Sequence, residues 1–101
     1  MSEIGDKRRL FTWALAKLLE KMLDSGYGPM LGKDGLKHMA NSLHFDGLAA
    51  DIDLTKDGFY LSDGKDHAQF GEYWKTLNKD CTWGGDFGDP NHYSVTLGGR
   101  K

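Results

Sequence analysis

The stretch Ala49-Ala50-Asp51-Ile52-Asp53-Leu54 constrains the fold more than any other part of the chain. Apolar residues alternate with acids, the period-two pattern of a strand with one buried face. Ala50, Ile52 and Leu54 can face a core, which leaves Ala49, Asp51 and Asp53 on the other side. Two carboxylates side by side on a strand face repel each other and depress strand propensity. That face wants a positive partner, and a metal ion is the simplest one.

His44 stands seven positions before Asp51, among small and apolar residues. Near the C-terminus, the segment from Trp83 to Val95 supplies a second imidazole, His92, with Asp89 three positions before it. His44, Asp51 and His92 would together make a His/Asp/His zinc site. Catalytic zinc sites keep three protein ligands and leave the fourth position to water. Peptide hydrolysis at such a site needs a base that takes the water proton and hands it to the leaving amine. Asp89 is the candidate, because Pro90 restricts it to an extended backbone and a tight loop can aim it beside a ligand. Asp86 is the rival base, and Asp53 is an acid able to orient an imidazole from behind. The spacing of His44 and Asp51 matches none of the short helical zinc motifs, and such a pair taken alone is more often a surface pair.

Other residues have plainer readings. His38 and His67 lie in polar segments and read as solvated surface residues, with a reserve role as ligands. Trp83, Trp74, Tyr73 and Phe87 read as core or groove wall. Gly84-Gly85 reads as a bulge or tight turn, since no helix start follows to make it a phosphate cradle. Cys81 reads as an inert small hydrophobe. As the single cysteine, it excludes an intrachain disulfide and a cysteine-rich zinc site. A net charge of −2 gives no support for nucleic-acid binding. No run approaches the roughly 18–20 apolar residues of a membrane span. The N-terminus has no signal-peptide core, so the expected site of synthesis and residence is a cytoplasm.

A chain of 101 residues suggests one domain, 1–101, with 1–7 and 98–101 as flexible tails. Phe11, Ala14, Leu15, Leu18, Leu19 and Met22 recur at helical spacing and predict a helix over Arg8–Ser25, stopped by Gly26. Tyr73, Trp74, Phe70 and Leu77 predict a second over Ala68–Leu77. A short strand is expected at Met30-Leu31, and a hairpin over Thr55–Leu61 around Asp57-Gly58. Further strands are expected at Trp83–Phe87 and His92–Leu97. The order suggests an α+β fold, with helices packed on one face of a small antiparallel sheet.

Several blocks in order carry a family resemblance: Ser42-x-His44-x6-Asp51, Gly71-Glu72-Tyr73-Trp74, Trp83-Gly84-Gly85-Asp86-Phe87 and Asp89-x-x-His92. From about Arg8 to Val95 the chain resembles the zinc D,D-/L,D-peptidases of the VanY-like group. Within that group it is most similar to the short phage endolysins that act as L-alanyl-D-glutamate endopeptidases. The resemblance implies a Hedgehog/D,D-peptidase-like fold with Zn2+ on the sheet, ligands His44, Asp51 and His92, and Asp89 as base. Ser42, Trp83, Asp86 and Lys37 would contact substrate. It further implies a monomeric phage metallopeptidase, of endopeptidase or D,D-carboxypeptidase type, that cuts the peptidoglycan stem peptide without nucleic-acid or membrane partners. Such a protein would wait in the host bacterial cytoplasm for holin-dependent release. One departure stands out. The Tyr27–Leu43 segment is short and lacks the family's arginine, leaving Lys33 and Lys37 as its only cations. Lysine does not replace a bidentate arginine, so the alternative is a non-catalytic zinc module that binds cell wall or belongs to a virion.

Overall fold

A computed structural model of the chain describes residues 3–32 and 47–99. Helix α1 spans Glu3–Asp24 and buries Phe11, Ala14, Leu18 and Met22, the apolar stripe read from the sequence. It starts five residues earlier than its periodicity suggests, so residues 3–7 belong to the helix and not to a tail. Acids in its first turn, Glu3 and Asp6, suit the positive end of the helix dipole. Its C-terminus closes as a Schellman motif. Tyr27 N–H donates to the Met22 carbonyl and Gly26 N–H to that of Leu23, while Gly26 sits at φ 89°.

The strands are β1 (Gly28–Leu31), β2 (Ala49–Lys56), β3 (Phe59–Leu61), β4 (Cys81–Trp83) and β5 (His92–Val95), with helix α2 (Ala68–Leu77) between β3 and β4. Among the described residues they form one antiparallel sheet in the order β1-β2-β5-β4, with β3 also pairing β2. The β2–β3 connection is the expected two-residue turn: Asp57 and Gly58 both have positive φ, 53° and 84°.

Both helices pack against the same core as Ile52, Leu54, Tyr93 and Val95, as the α+β reading requires. Phe11 meets Trp74 edge-on at 5.9 Å, and Trp74 meets Tyr93 at 5.8 Å. Trp74 and Tyr93 are fully buried, and burying a large apolar side chain contributes about 1.5–3 kcal/mol relative to exposure. Trp74 Nε1–H is satisfied by the Ser94 carbonyl at 3.0 Å, so its indole adds apolar area without an orphaned donor.

The expected strand over Trp83–Phe87 is shorter. It ends at Trp83 and gives way to a 3-10 turn over Gly84–Phe87. The last strand likewise stops at Val95, two residues short of expectation. Phe87 is not core: it is 51% exposed, with its ring 5.8 Å from the His92 ring.

Candidate metal centre

Strand β2 is antiparallel to β5 with Asp51 directly opposite His92. Opposed residues point to the same face of a sheet, so the carboxylate and the imidazole meet on the side away from the helices. Asp51 Oδ1 lies 3.6 Å from His92 Nδ1. Asp51 is half-buried and His92 is 7% exposed, its ring flanked by Phe87.

The third member comes from the loop between the 3-10 turn and β5. The His92 amide donates to the Asp89 carbonyl at 3.1 Å, closing a turn that carries a side chain from residue 89 back beside residue 92. The Asp89 amide is anchored in turn to the Gly84 carbonyl at 2.8 Å. Asp51, Asp89 and His92 each offer a ligand atom, and these atoms lie within 4.8 Å of one another. Two carboxylates and an imidazole so close form a donor set that can hold a metal ion, whose charge offsets the repulsion between the acids.

Gly84 is what lets the loop close. A Cβ there would collide with the Asp89 carbonyl oxygen and lie 2.6 Å from the His92 Cβ. Gly71 on α2 plays the matching part below, because a Cβ on it would run into the Trp83 ring. Trp83 is thereby pressed onto α2 as core, and its Nε1–H donates to the Pro90 carbonyl at 2.7 Å, pinning the loop between Asp89 and His92. The Gly71 and Gly84 positions of the sequence blocks thus build the platform under the site.

The remaining expectations divide. His44, Ser42, Lys37 and His38 lie outside the described residues. Asp86 does not join the acid group. It pairs with Lys75 at 3.1 Å, and Lys75 also holds Glu72 at 2.7 Å, which leaves Asp89 as the acid beside His92. Asp53 follows Asp51 on the same face of β2 and accepts from the Asn91 amide at 3.4 Å. Cys81 is buried and its thiol is pushed up to about 11 by desolvation, which keeps it protonated and inert.

His67 corrects the sequence reading. It is not a solvated surface residue but 4% exposed, in a 3-10 turn over Gly64–His67 that leads into α2. Its Nδ1 lies 2.7 Å from the Tyr93 hydroxyl. Burial lowers its pKa, against the opposing pull of the Asp53 and Asp66 carboxylates. The polar run around it concealed this, because its burial depends on strands that part from each other in the sheet.

Comparison of the chain with family models, curated proteins and solved structures finds no match. Among the described residues, no helix is long and apolar enough to cross a membrane.

Proposed function

We propose that the chain is a zinc metallopeptidase that hydrolyses a peptide bond of the peptidoglycan stem peptide, L-Ala–D-Glu being the expected bond, in phage-driven host lysis. The single observation that carries this reading is the convergence of Asp51, Asp89 and His92 within 4.8 Å. The donor set, one imidazole nitrogen with carboxylate oxygens, suits zinc. Asp51 and His92 would hold the ion with His44, the imidazole seven positions upstream of Asp51. When bound, zinc supplies a Lewis acid for the scissile carbonyl and acidifies water.

The chain's own residues then divide the work. Asp89 is the exposed member of the group, so it can reach a water molecule while the more buried Asp51 and His92 stay fixed. One of its carboxylate oxygens takes a proton as the water oxygen attacks the carbonyl carbon. The same oxygen returns the proton to the leaving nitrogen as the C–N bond breaks, giving a carboxylic acid and an amine, which at neutral pH settle as carboxylate and ammonium. Phe87 against His92 limits the ring's freedom and shields it from bulk water.

The test is a digest of purified peptidoglycan by zinc-loaded protein, read as new amino termini. Release by wild type well above that by Asp89→Ala is the expected result. Equal release by the two removes the catalytic reading. The second reading, a non-catalytic zinc module of the same fold, is favoured by the absence of arginine from Tyr27 to Leu43. One equivalent of bound zinc with wall-peptide binding and no turnover would select it.

A further inference from the structure

Beside the metal centre the sheet has a notch. On one edge of β2, β5 pairs with Ala49–Asp51 and β3 with Leu54–Lys56, so the two partners part around Ile52 and Asp53. The 3-10 turn over Gly64–His67 fills the gap from below and leaves a cavity of about 160 Å3. Asp53, His67, Asn91 and Pro90 line it, with Tyr60 and Ser62 at the β3 end. The cavity adjoins the metal group on two sides. Asp53 is two residues from Asp51 on the same strand face, and Pro90-Asn91 is the link between Asp89 and His92.

Its donor and acceptor pattern follows from a buried pair. The Tyr93 hydroxyl is fully buried, and its one hydrogen-bond partner among the described residues is His67 Nδ1. A buried O–H donor without an acceptor is costly. The hydroxyl therefore donates to Nδ1, and the proton of the neutral imidazole sits on Nε2. Among the described residues Nε2 has no hydrogen-bond partner, although the ring is 4% exposed and lines the cavity. Beside the Tyr60 and Ser62 hydroxyls at its β3 end, the cavity thus brings together an N–H donor, from His67, and a carboxylate acceptor, Asp53, which Asn91 steadies.

We propose that this cavity is a recognition subsite for a primary carboxamide of the peptide substrate, His67 Nε2–H donating to the amide oxygen and Asp53 accepting from the amide NH2. An ammonium group satisfies Asp53 and leaves Nε2–H unpaired. A carboxylate satisfies Nε2–H and is repelled by Asp53. The carboxamide satisfies both, and the volume is ample, since a single water needs only about 10–15 Å3. The inference rests on the peptidase reading only for the peptide's presence at the metal centre. It makes the protein selective for stem peptides whose carboxyl group next to the scissile bond is amidated.

The experiment compares L-alanyl-D-isoglutaminyl-L-lysine with L-alanyl-D-glutamyl-L-lysine on zinc-loaded protein, by calorimetric affinity and by release of new amino termini. The amidated peptide is expected to bind about tenfold or more tightly, the change that one charge-assisted hydrogen bond makes. Asp53→Asn is expected to bring the two affinities within about threefold, because it removes the repulsion of the free acid and the charge that strengthens the bond to the amide NH2, while a neutral oxygen acceptor remains. Equal affinities in wild type, tighter binding of the free acid, or binding of neither peptide overturns the subsite. Amide preference without cleavage of either peptide sinks the peptidase reading and keeps the subsite; cleavage of both with equal kcat/KM does the reverse. Should Asp53→Asn fail to fold, the wild-type His67 Nε2 resonance decides. It is expected to shift at about tenfold or more lower concentration of the amidated peptide than of the free acid. No shift with the amidated peptide, or a shift at lower concentration of the free acid, overturns the assignment.

Discussion

Asp89 and His92 are joined by one backbone turn hydrogen bond, which holds the two residues beside each other. Their roles are nonetheless separable. Asp89→Asn keeps the shape and a carbonyl oxygen but removes the proton acceptor. Its kcat is expected to fall by about 10²–10⁴-fold with zinc affinity changed far less, measured by turnover beside a metal titration. An Asp89→Asn protein that turned over at the wild-type rate would reassign the base. His67 gives a second residue-scale expectation. An unfolded chain protonates it near 6.5, whereas desolvation holds the folded value lower. As pH falls through 6.5 the unfolded state takes up the proton first, so stability drops until the folded pKa is reached. Thermal melts between about pH 7 and 5 should therefore show a smaller decline for His67→Phe/Tyr93→Phe than for wild type. The paired change leaves no orphaned Tyr93 hydroxyl.

At the scale of elements, the site is a strand pair and a loop held by glycine. Gly84→Ala forces a Cβ against the Asp89 carbonyl and the His92 Cβ. It is expected to destabilise the fold by about 1–3 kcal/mol, the usual range for overpacking, and to weaken zinc binding as well. Denaturant melts and a zinc titration check the two effects separately. Much at this scale was legible in the chain. The apolar stripe of α1, the bounds of α2 and the Asp57-Gly58 turn follow from periodicity and turn chemistry. The opposition of Asp51 and His92 was legible only as chemistry. Nothing local in either segment fixes the register that sets them opposite each other. The end of β4 at Trp83 was missed because Gly84-Gly85 allows both a bulge and a 3-10 turn, and packing of Trp83 on α2 decides between them. The burial of His67 had no sequence signal, since the notch that encloses it arises from pairing between distant strands.

At the scale of the whole molecule, helices on one sheet face provide the core, and the opposite face carries the Asp51, Asp89 and His92 group. Asp51 and Asp89 crowd each other there, so an ion that binds only the folded chain stabilises it. With free zinc at 100 times Kd that contribution is about 2.7 kcal/mol, on the order of 10–20 °C in Tm for a domain of this size. A chelator is expected to lower the melting temperature by a comparable amount, read by calorimetry. The most direct test of the metal centre is a zinc titration of wild type, Asp51→Asn, His92→Ala and Asp89→Asn side by side. Wild type and Asp89→Asn should bind one equivalent. Asp51→Asn and His92→Ala should lose at least the roughly 10–100-fold that even an outer-shell partner costs. His92→Ala binding zinc as tightly as wild type would contradict the assignment of this site.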